Sequence, residues 1–411
     1  MSKRPRMTLF VVMLVGFLGT AGIALPYPVL APYFLDYPAN ELTRFMGIHP
    51  KMLLSICLAI YPLGLLLGSM YIGALSDLFG RKKILTITLV GAVLGYVLTA
   101  WAIWSESFVG FVLARFLSGV CEGNISIARA IAVELEPLIS KARGLSLMYS
   151  ATYSGWLIGP VLGGFLVVFG VAELFLIAAV GMLLSLLLLV LVLQKDEPNE
   201  KKEPEKHTVK QLIRSQNAFG LLKNRMIWPV FGFYFLYTLG LNAFYEFYPV
   251  WFVDEFNATP QTIATCTIFL TAAMITVSSF FVPKIQSSWG EVKAMLVGAT
   301  CLAILLFIQP FVSMNEIRWI FVAIGCAIAV GNSMVPTFLS TAFGHLGQGK
   351  VMGLQTSTFC IANFIIAVIG GPLTIISSKY TLLLGGVLVL SAVCLLWNQR
   401  HSQNALLGPA V

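Results

Sequence analysis

Charge is what this sequence has least of. Of 411 residues only 11% are Asp, Glu, Lys or Arg, against 58% hydrophobic, and mean hydropathy is strongly positive. So little charge cannot cover a soluble globule, which leaves a polytopic membrane protein. Histidine is scarce too: His49, His207, His345 and His401 all fall in expected loops or the tail. Carboxylates must therefore carry any proton traffic inside the membrane. The seven cysteines stand singly in apolar runs with no Cys-x-x-Cys pair, so neither disulfides nor a metal site is expected.

A nucleotide-binding domain is also missing. Gly344-His-Leu-Gly-Gln-Gly349-Lys350 has phosphate-loop spacing, but Val351 stands where Ser or Thr is required and no strand precedes it. No motif favours an enzyme. Transport on this chain is downhill or draws on an ion gradient, each charge moved being worth about 2.3 kcal/mol per 100 mV. The formal charge of +8 would suggest nucleic acid in a soluble protein. Here the positive-inside rule explains it, and no nucleic-acid partner is expected. Lys3-Arg4-Pro5-Arg6 imitates the start of a signal peptide, but the apolar run continues to Leu35 without a convincing cleavage site.

What the chain does have is long apolar runs. Twelve spans are expected, at 8–35, 52–75, 84–104, 108–133, 144–168, 173–193, 226–253, 262–284, 292–312, 317–341, 350–374 and 380–398, each near or above the length needed to cross a hydrocarbon core. An inside N-terminus puts the basic residues from 81 to 83, Lys141, Arg143, Lys284, Lys293, Lys350 and Arg400 on one side, with only Arg44, Lys51, Arg318 and Lys379 opposite. Both termini are therefore expected in the cytoplasm. The charged segment 194–225 divides the chain into bundles at 1–193 and 226–411. It reads as a solvated linker, or as one with a surface helix over 209–222.

Spans two and three meet at Gly73-Ala-Leu-Ser-Asp77-Leu-Phe-Gly80-Arg81-Lys82-Lys83. The residues alone allow a hairpin that merely sets topology, with Asp77 and Arg81 an ordinary i,i+4 pair. Pro283 to Lys293 occupies the same place in the second half, keeping Gly290 and a lysine but losing the Asp-Arg pair; Gly371-Pro372 echoes Gly159-Pro160. Such echoes indicate parallel repeats.

Polar groups inside spans are functional hypotheses by default. In span four Arg115, Glu122 and Arg129 are spaced seven apart on one face, about 10 Å between neighbours along the axis. That spacing suits a polar path better than direct pairing. Glu122 is either a substrate or proton site or a structural counter-ion for Arg115, while Arg129 reads as snorkelling. In span five Gly155, Gly159 and Gly163, with Gly164 and the helix-bending Pro160, make a smooth face for close helix packing. In span seven Tyr234, Tyr237, Tyr245 and Tyr248 share one face beside Asn242 and Glu246, which suits either an amphipathic ligand or a packing stripe. Glu246 lies toward the outer end, where reaching water is an equally good reading. Asn332 and Asn363 are ligand donors or interhelical hydrogen-bonders.

These stretches resemble known signatures. Gly73-x-x-x-Asp77-x-x-Gly80-Arg81-Lys82-Lys83 matches the loop between helices two and three of the major facilitator superfamily. Gly155-x-x-x-Gly159-Pro160-x-x-Gly163-Gly164 resembles the antiporter signature of its 12-span drug:proton antiporters. The Arg115 to Gly119 spacing and Pro26-Tyr-Pro28-Val-Leu-Ala-Pro32 resemble their fourth- and first-helix signatures.

The resemblance implies an all-α membrane fold of two pseudo-symmetric six-helix bundles about a central cavity, working as a monomer in a bacterial inner membrane. It implies a gating network of Asp77, Arg81 and the start of helix 11, which Glu134 would complete. It also implies a fifth-helix glycine face between the halves, and an Arg115 linked to proton coupling. Relatives commonly carry a small residue where Glu122 stands. The expected function is proton-coupled export of a small amphipathic molecule without a cofactor, with Glu122, Arg115 and Glu246 in proton coupling. The substrate cavity is expected to use Tyr234, Tyr237, Asn242, Tyr245, Asn332 and Asn363. An importer or exporter of a siderophore or other metabolite is the alternative, and a non-transporting receptor the third.

Overall fold

Glycine and proline punctuate an otherwise helical chain. The computed structural model describes residues 5–193, 218–223, 227–343 and 348–403. Lys3 and Arg4, nearly all of the charged linker with most of its expected surface helix, and residues 344–347 of the phosphate-loop-like stretch lie outside them. Among the described residues every regular element is helical. Contacts separate the chain into two units, at 1–217 and 218–411.

In the first unit α1 (Pro5–Ala24) and α2 (Tyr27–Leu35) make span one, α3 (Pro50–Phe79) span two and α4 (Arg81–Trp104) span three. Next come α5 (Phe108–Glu122) with α6 (Ile125–Glu134), then α7 (Lys141–Leu166) and α8 (Val171–Val192). In the second unit α9 (Trp228–Phe256) is followed by α10 (Pro260–Thr276), a π-helical turn at Val277–Phe281 and α11 (Val282–Trp289). Finally come α12 (Glu291–Ile308), α13 (Ile317–Phe343), α14 (Gln348–Ile376) and α15 (Ser378–Gln403). Among the described residues eleven spans are long and apolar enough to cross a membrane. The twelfth, α9, has 29 residues, ample length at about 43 Å. Its tyrosines, tryptophans, prolines and acids lower its hydropathy.

Two spans expected as single helices are broken. Pro26 and Pro28 have no N–H to offer the carbonyls of Gly22 and Ala24, so α1 stops and the ladder restarts with Val29 and Leu30 donating to Pro26 O. In span four Gly123 and Asn124 donate to Val120 O and Cys121 O at a stretched 3.4 Å. The helix therefore breaks one residue after Glu122, which leaves Arg129 on α6.

Small residues set the packing. In the first unit α1 lies on α7 and α3 on α5. A Cβ on Gly163 would stand 1.9 Å from Leu25 O, and one on Gly68 would stand 2.0 Å from Val120 O, so these backbones touch directly. The Thr20 hydroxyl adds a 2.9 Å hydrogen bond to Thr152 O across the α1–α7 seam. In the second unit α9 packs on α15 and α14. Leu239 and Ala243 meet Ala362 and Ile366 in one buried cluster.

The two hairpins repeat each other in detail. Gly80 (φ +97°, ψ 141°) and Gly290 (φ +73°, ψ 165°) take the same glycine-favouring turn. Gly80 N–H donates to Ser76 O as Gly290 N–H does to Gln286 O. Lys83 lies over the Phe79 ring at 6.0 Å and Lys293 over the Trp289 ring at 5.8 Å. Arg81 Nη1 donates to Ser76 Oγ at 2.9 Å, and at the equivalent positions Gln286 Nε2 donates to Glu291 Oε1 at 3.0 Å. The second half lost its Asp-Arg pair yet kept the bridge with donor and acceptor exchanged.

Candidate functional site

The first hairpin gathers its charged residues onto Arg81. Its Nη2 meets Asp77 Oδ1 at 2.7 Å and its Nε meets Glu134 Oε1 at 2.9 Å, so the end of α6 is tied to the α3–α4 turn. Lys82 turns the other way, its ammonium donating to the carbonyls of Val190 and Leu193 at the end of α8, a favourable place for a cation. Gly73 lies two turns before Gly80 on α3.

Glu122 is completely buried. The Tyr96 hydroxyl donates to its Oε1 at 2.6 Å, while Oε2 has no hydrogen-bond partner among the described residues. Tyr96 reaches this point because Gly22 of α1 leaves room: a Cβ there would fall 2.3 Å from the hydroxyl. The same hydroxyl stands in hydrogen-bonding reach of Arg115. Arg115 and Glu122 thus share Tyr96 instead of pairing directly, as their spacing suggests. The Arg115 guanidinium lies over Tyr61 at 4.5 Å and Phe175 at 5.7 Å, and its Nε and Nη1 have no hydrogen-bond partner among the described residues. Arg129 is half-buried, its guanidinium stacked on Tyr149 at 4.8 Å and its Nε buried. Tyr96 and Tyr61 were missed from the sequence. The available signal was a phenol in an apolar run, whose hydroxyl needs a partner when buried.

Gly155, Gly159 and Gly163 all face α1, the first of them 2.4 Å from Phe17 O for a built Cβ. The resemblance implies a glycine face between the halves; these contacts lie within the first unit. Pro160 and Gly164 belong to the same stretch of α7.

In the second unit Glu246 is 2% exposed and neither carboxylate oxygen has a partner among the described residues, which overturns the reading that it reaches water. Asn242 Nδ2 and Asn363 Oδ1 are buried and unpartnered as well. Gln355 reaches Tyr234, Ala362 and Ile366 meet Leu239 and Ala243, and Gly370 meets Phe247. Helices α9 and α14 therefore run parallel, with Asn363 near the level of Asn242 and Glu246 about a turn further on. The tyrosines pack inside the unit: Tyr237 stacks on Phe233 at 5.8 Å and abuts Gly331, Tyr248 hydrogen-bonds Thr267 at 2.8 Å, and Tyr245 reaches Met274 Sδ at 3.5 Å. Asn332 on α13 is half-buried. A cavity of about 570 Å³ among Asn40, Arg44, Glu106 and neighbouring loop residues is lined by none of the buried carboxylates.

Known proteins match this chain along nearly its whole length. Multidrug resistance protein 2 of Bacillus subtilis is 24% identical over 99% of each chain. Quinolone resistance protein NorA of Staphylococcus aureus is 24% identical, covering 94% of this chain and 95% of that one. The class H tetracycline resistance protein of Pasteurella multocida is 22% identical over 89% and 87%. Among solved structures, a D-xylose-proton symporter superposes with a TM-score of 0.75 at 18% identity, covering 95% of this chain and 97% of that one. The human organic anion transporter MFSD10 gives 0.67 at 19%, over 95% and 99%. The Major Facilitator Superfamily model matches residues 9–367; with eleven membrane-length spans beside α9, the chain belongs to that superfamily of multi-pass secondary transporters.

Proposed function

We propose that this protein is a proton-coupled exporter of a small amphipathic molecule, working by alternating access in a bacterial cytoplasmic membrane, as a monomer with both termini in the cytoplasm. The reading rests on Glu122, a completely buried carboxylate with one oxygen held by Tyr96 and the other unpartnered. A carboxylate is costly inside a membrane protein and is kept there for function by default. Substrate that changes the charge or water around such a group changes whether it holds a proton. Arg115 shares Tyr96 with Glu122 and tunes that balance. Glu246, with Asn242 and Asn363 nearby, is a second buried polar group, in the other unit. Tyr234, Tyr237, Tyr245 and Asn332 supply substrate contacts as the bundles rock, and the 194–225 segment links the bundles. Asp77, Arg81 and Glu134 gate the movement.

Export is favoured by the names of the full-length relatives, which are multidrug, quinolone and tetracycline resistance proteins. The test uses everted membrane vesicles energised to an acidic interior and a panel of fluoroquinolones, tetracyclines and cationic dyes. A compound that releases protons with the wild type but not with Glu122→Gln supports the reading. Whole cells that accumulate a compound through this protein, with no proton release from vesicles, would make it an importer. Binding without flux would make it a receptor.

A further inference from the structure

The geometry points to a compact-anion site in the first unit, between Arg115 and Tyr61 where α1 gives way to α2. Both residues are 4% exposed. Nε and Nη1 of Arg115 and the Tyr61 hydroxyl are buried without a hydrogen-bond partner among the described residues. Both residues, with Pro26, Tyr27 and Cys57, line a cavity of about 20 Å³. That is room for one water, one monatomic ion or the end of a carboxylate.

Charge decides among these occupants. A guanidinium keeps its proton in proteins, so this is a permanent buried cation. No ion pair among the described residues includes it, and Glu122 is reached only through Tyr96. The ring faces of Tyr61 and Phe175 offset only part of the cost of a buried charge. A water in the cavity would satisfy N–H groups and leave the charge uncompensated. A small anion accepts from Arg115 and from the Tyr61 hydroxyl, and neutralises the charge. The cavity fits a free halide or the carboxylate end of a larger transported molecule, and excludes a bulky anion. The inference needs only the first unit and stands whether or not transport is coupled to protons.

The test is thermal unfolding of the purified full-length protein in detergent, without a pH gradient. Sodium chloride, sodium formate and sodium methanesulfonate, whose tetrahedral head is too bulky for the cavity, are compared at one pH and ionic strength. Chloride or formate is expected to raise the midpoint saturably over methanesulfonate. A response to chloride alone assigns a free halide, and a response to formate assigns a carboxylate end. Tyr61→Phe is expected to need about tenfold more anion for the same shift, the equivalent of one hydrogen bond to a charged group. Arg115→Gln is expected to abolish the shift. Should that variant fail to fold, Tyr61→Phe carries the test. Identical midpoints in all three salts would mean that the cavity holds only water, and an unchanged anion response in Tyr61→Phe would place the anion elsewhere; either overturns the proposal. The anion response is read on resting protein without a pH gradient or transport, so failure here is distinct from failure of the antiport reading.

Discussion

Tyr96 shows what a single hydroxyl decides in this protein. It holds one oxygen of Glu122 and stands against Arg115, so Tyr96→Phe leaves a buried acceptor unsatisfied. The expected loss is about 1–3 kcal/mol of stability, read from thermal unfolding in detergent. Glu122→Gln behaves differently. Glutamine keeps the shape and the acceptor for Tyr96 and buries no charge, so unfolding is expected unchanged or later while substrate-driven proton release disappears. A Glu122→Gln protein that unfolds markedly earlier would make Glu122 the structural counter-ion that the sequence left open. Glu122 and Arg115 were legible because a charge in an apolar run is conspicuous. Their real relation was not, since the mediating residue comes from another helix, through the space left at Gly22.

Among the elements, glycines carry the close contacts, and a matched pair of substitutions isolates the effect. A Cβ on Gly155 would fall 2.0 Å from Thr20 Oγ1 and 2.4 Å from Phe17 O, whereas one on Gly19 meets nothing within 4 Å. Gly155→Ala is expected to cost about 1–3 kcal/mol as α1 and α7 are forced apart. Gly19→Ala is expected to be neutral or slightly stabilising, since alanine favours a helix. Denaturation of the two variants side by side decides, and equal behaviour would mean that the seam is loose. At the second hairpin a Cβ on Gly290 also meets nothing, yet Gly290→Ala is expected to cost about 1–3 kcal/mol through its backbone angles alone. The four-residue glycine spacing announced a smooth face. Which helix it would meet was not readable, because spacing describes one surface and contact requires two.

For the molecule as a whole, the ion pairs at the first hairpin separate fold from function. The Asp77 and Arg81 side chains are 33% and 24% exposed, so their pairing contributes at most about 1 kcal/mol. Asp77→Asn is expected to leave thermal unfolding nearly unchanged while slowing transport at least tenfold. Parallel losses of stability and transport would return the hairpin to a topology signal. The sequence by itself determined the all-helical membrane class and the number of spans, because apolar length and scarce charge leave a chain in lipid no other way to satisfy its backbone. It also marked the hairpin and the buried acids. Tertiary structure decided where helices break, at Pro26 and after Glu122, and which side chains the tyrosines of α9 touch. It decided as well that Arg115 and Glu122 meet through Tyr96 and that the second hairpin keeps its bridge with donor and acceptor exchanged. The physical reason is range: hydropathy and helix punctuation act between near neighbours in the chain, whereas the partners of a buried polar group come from helices far away in sequence.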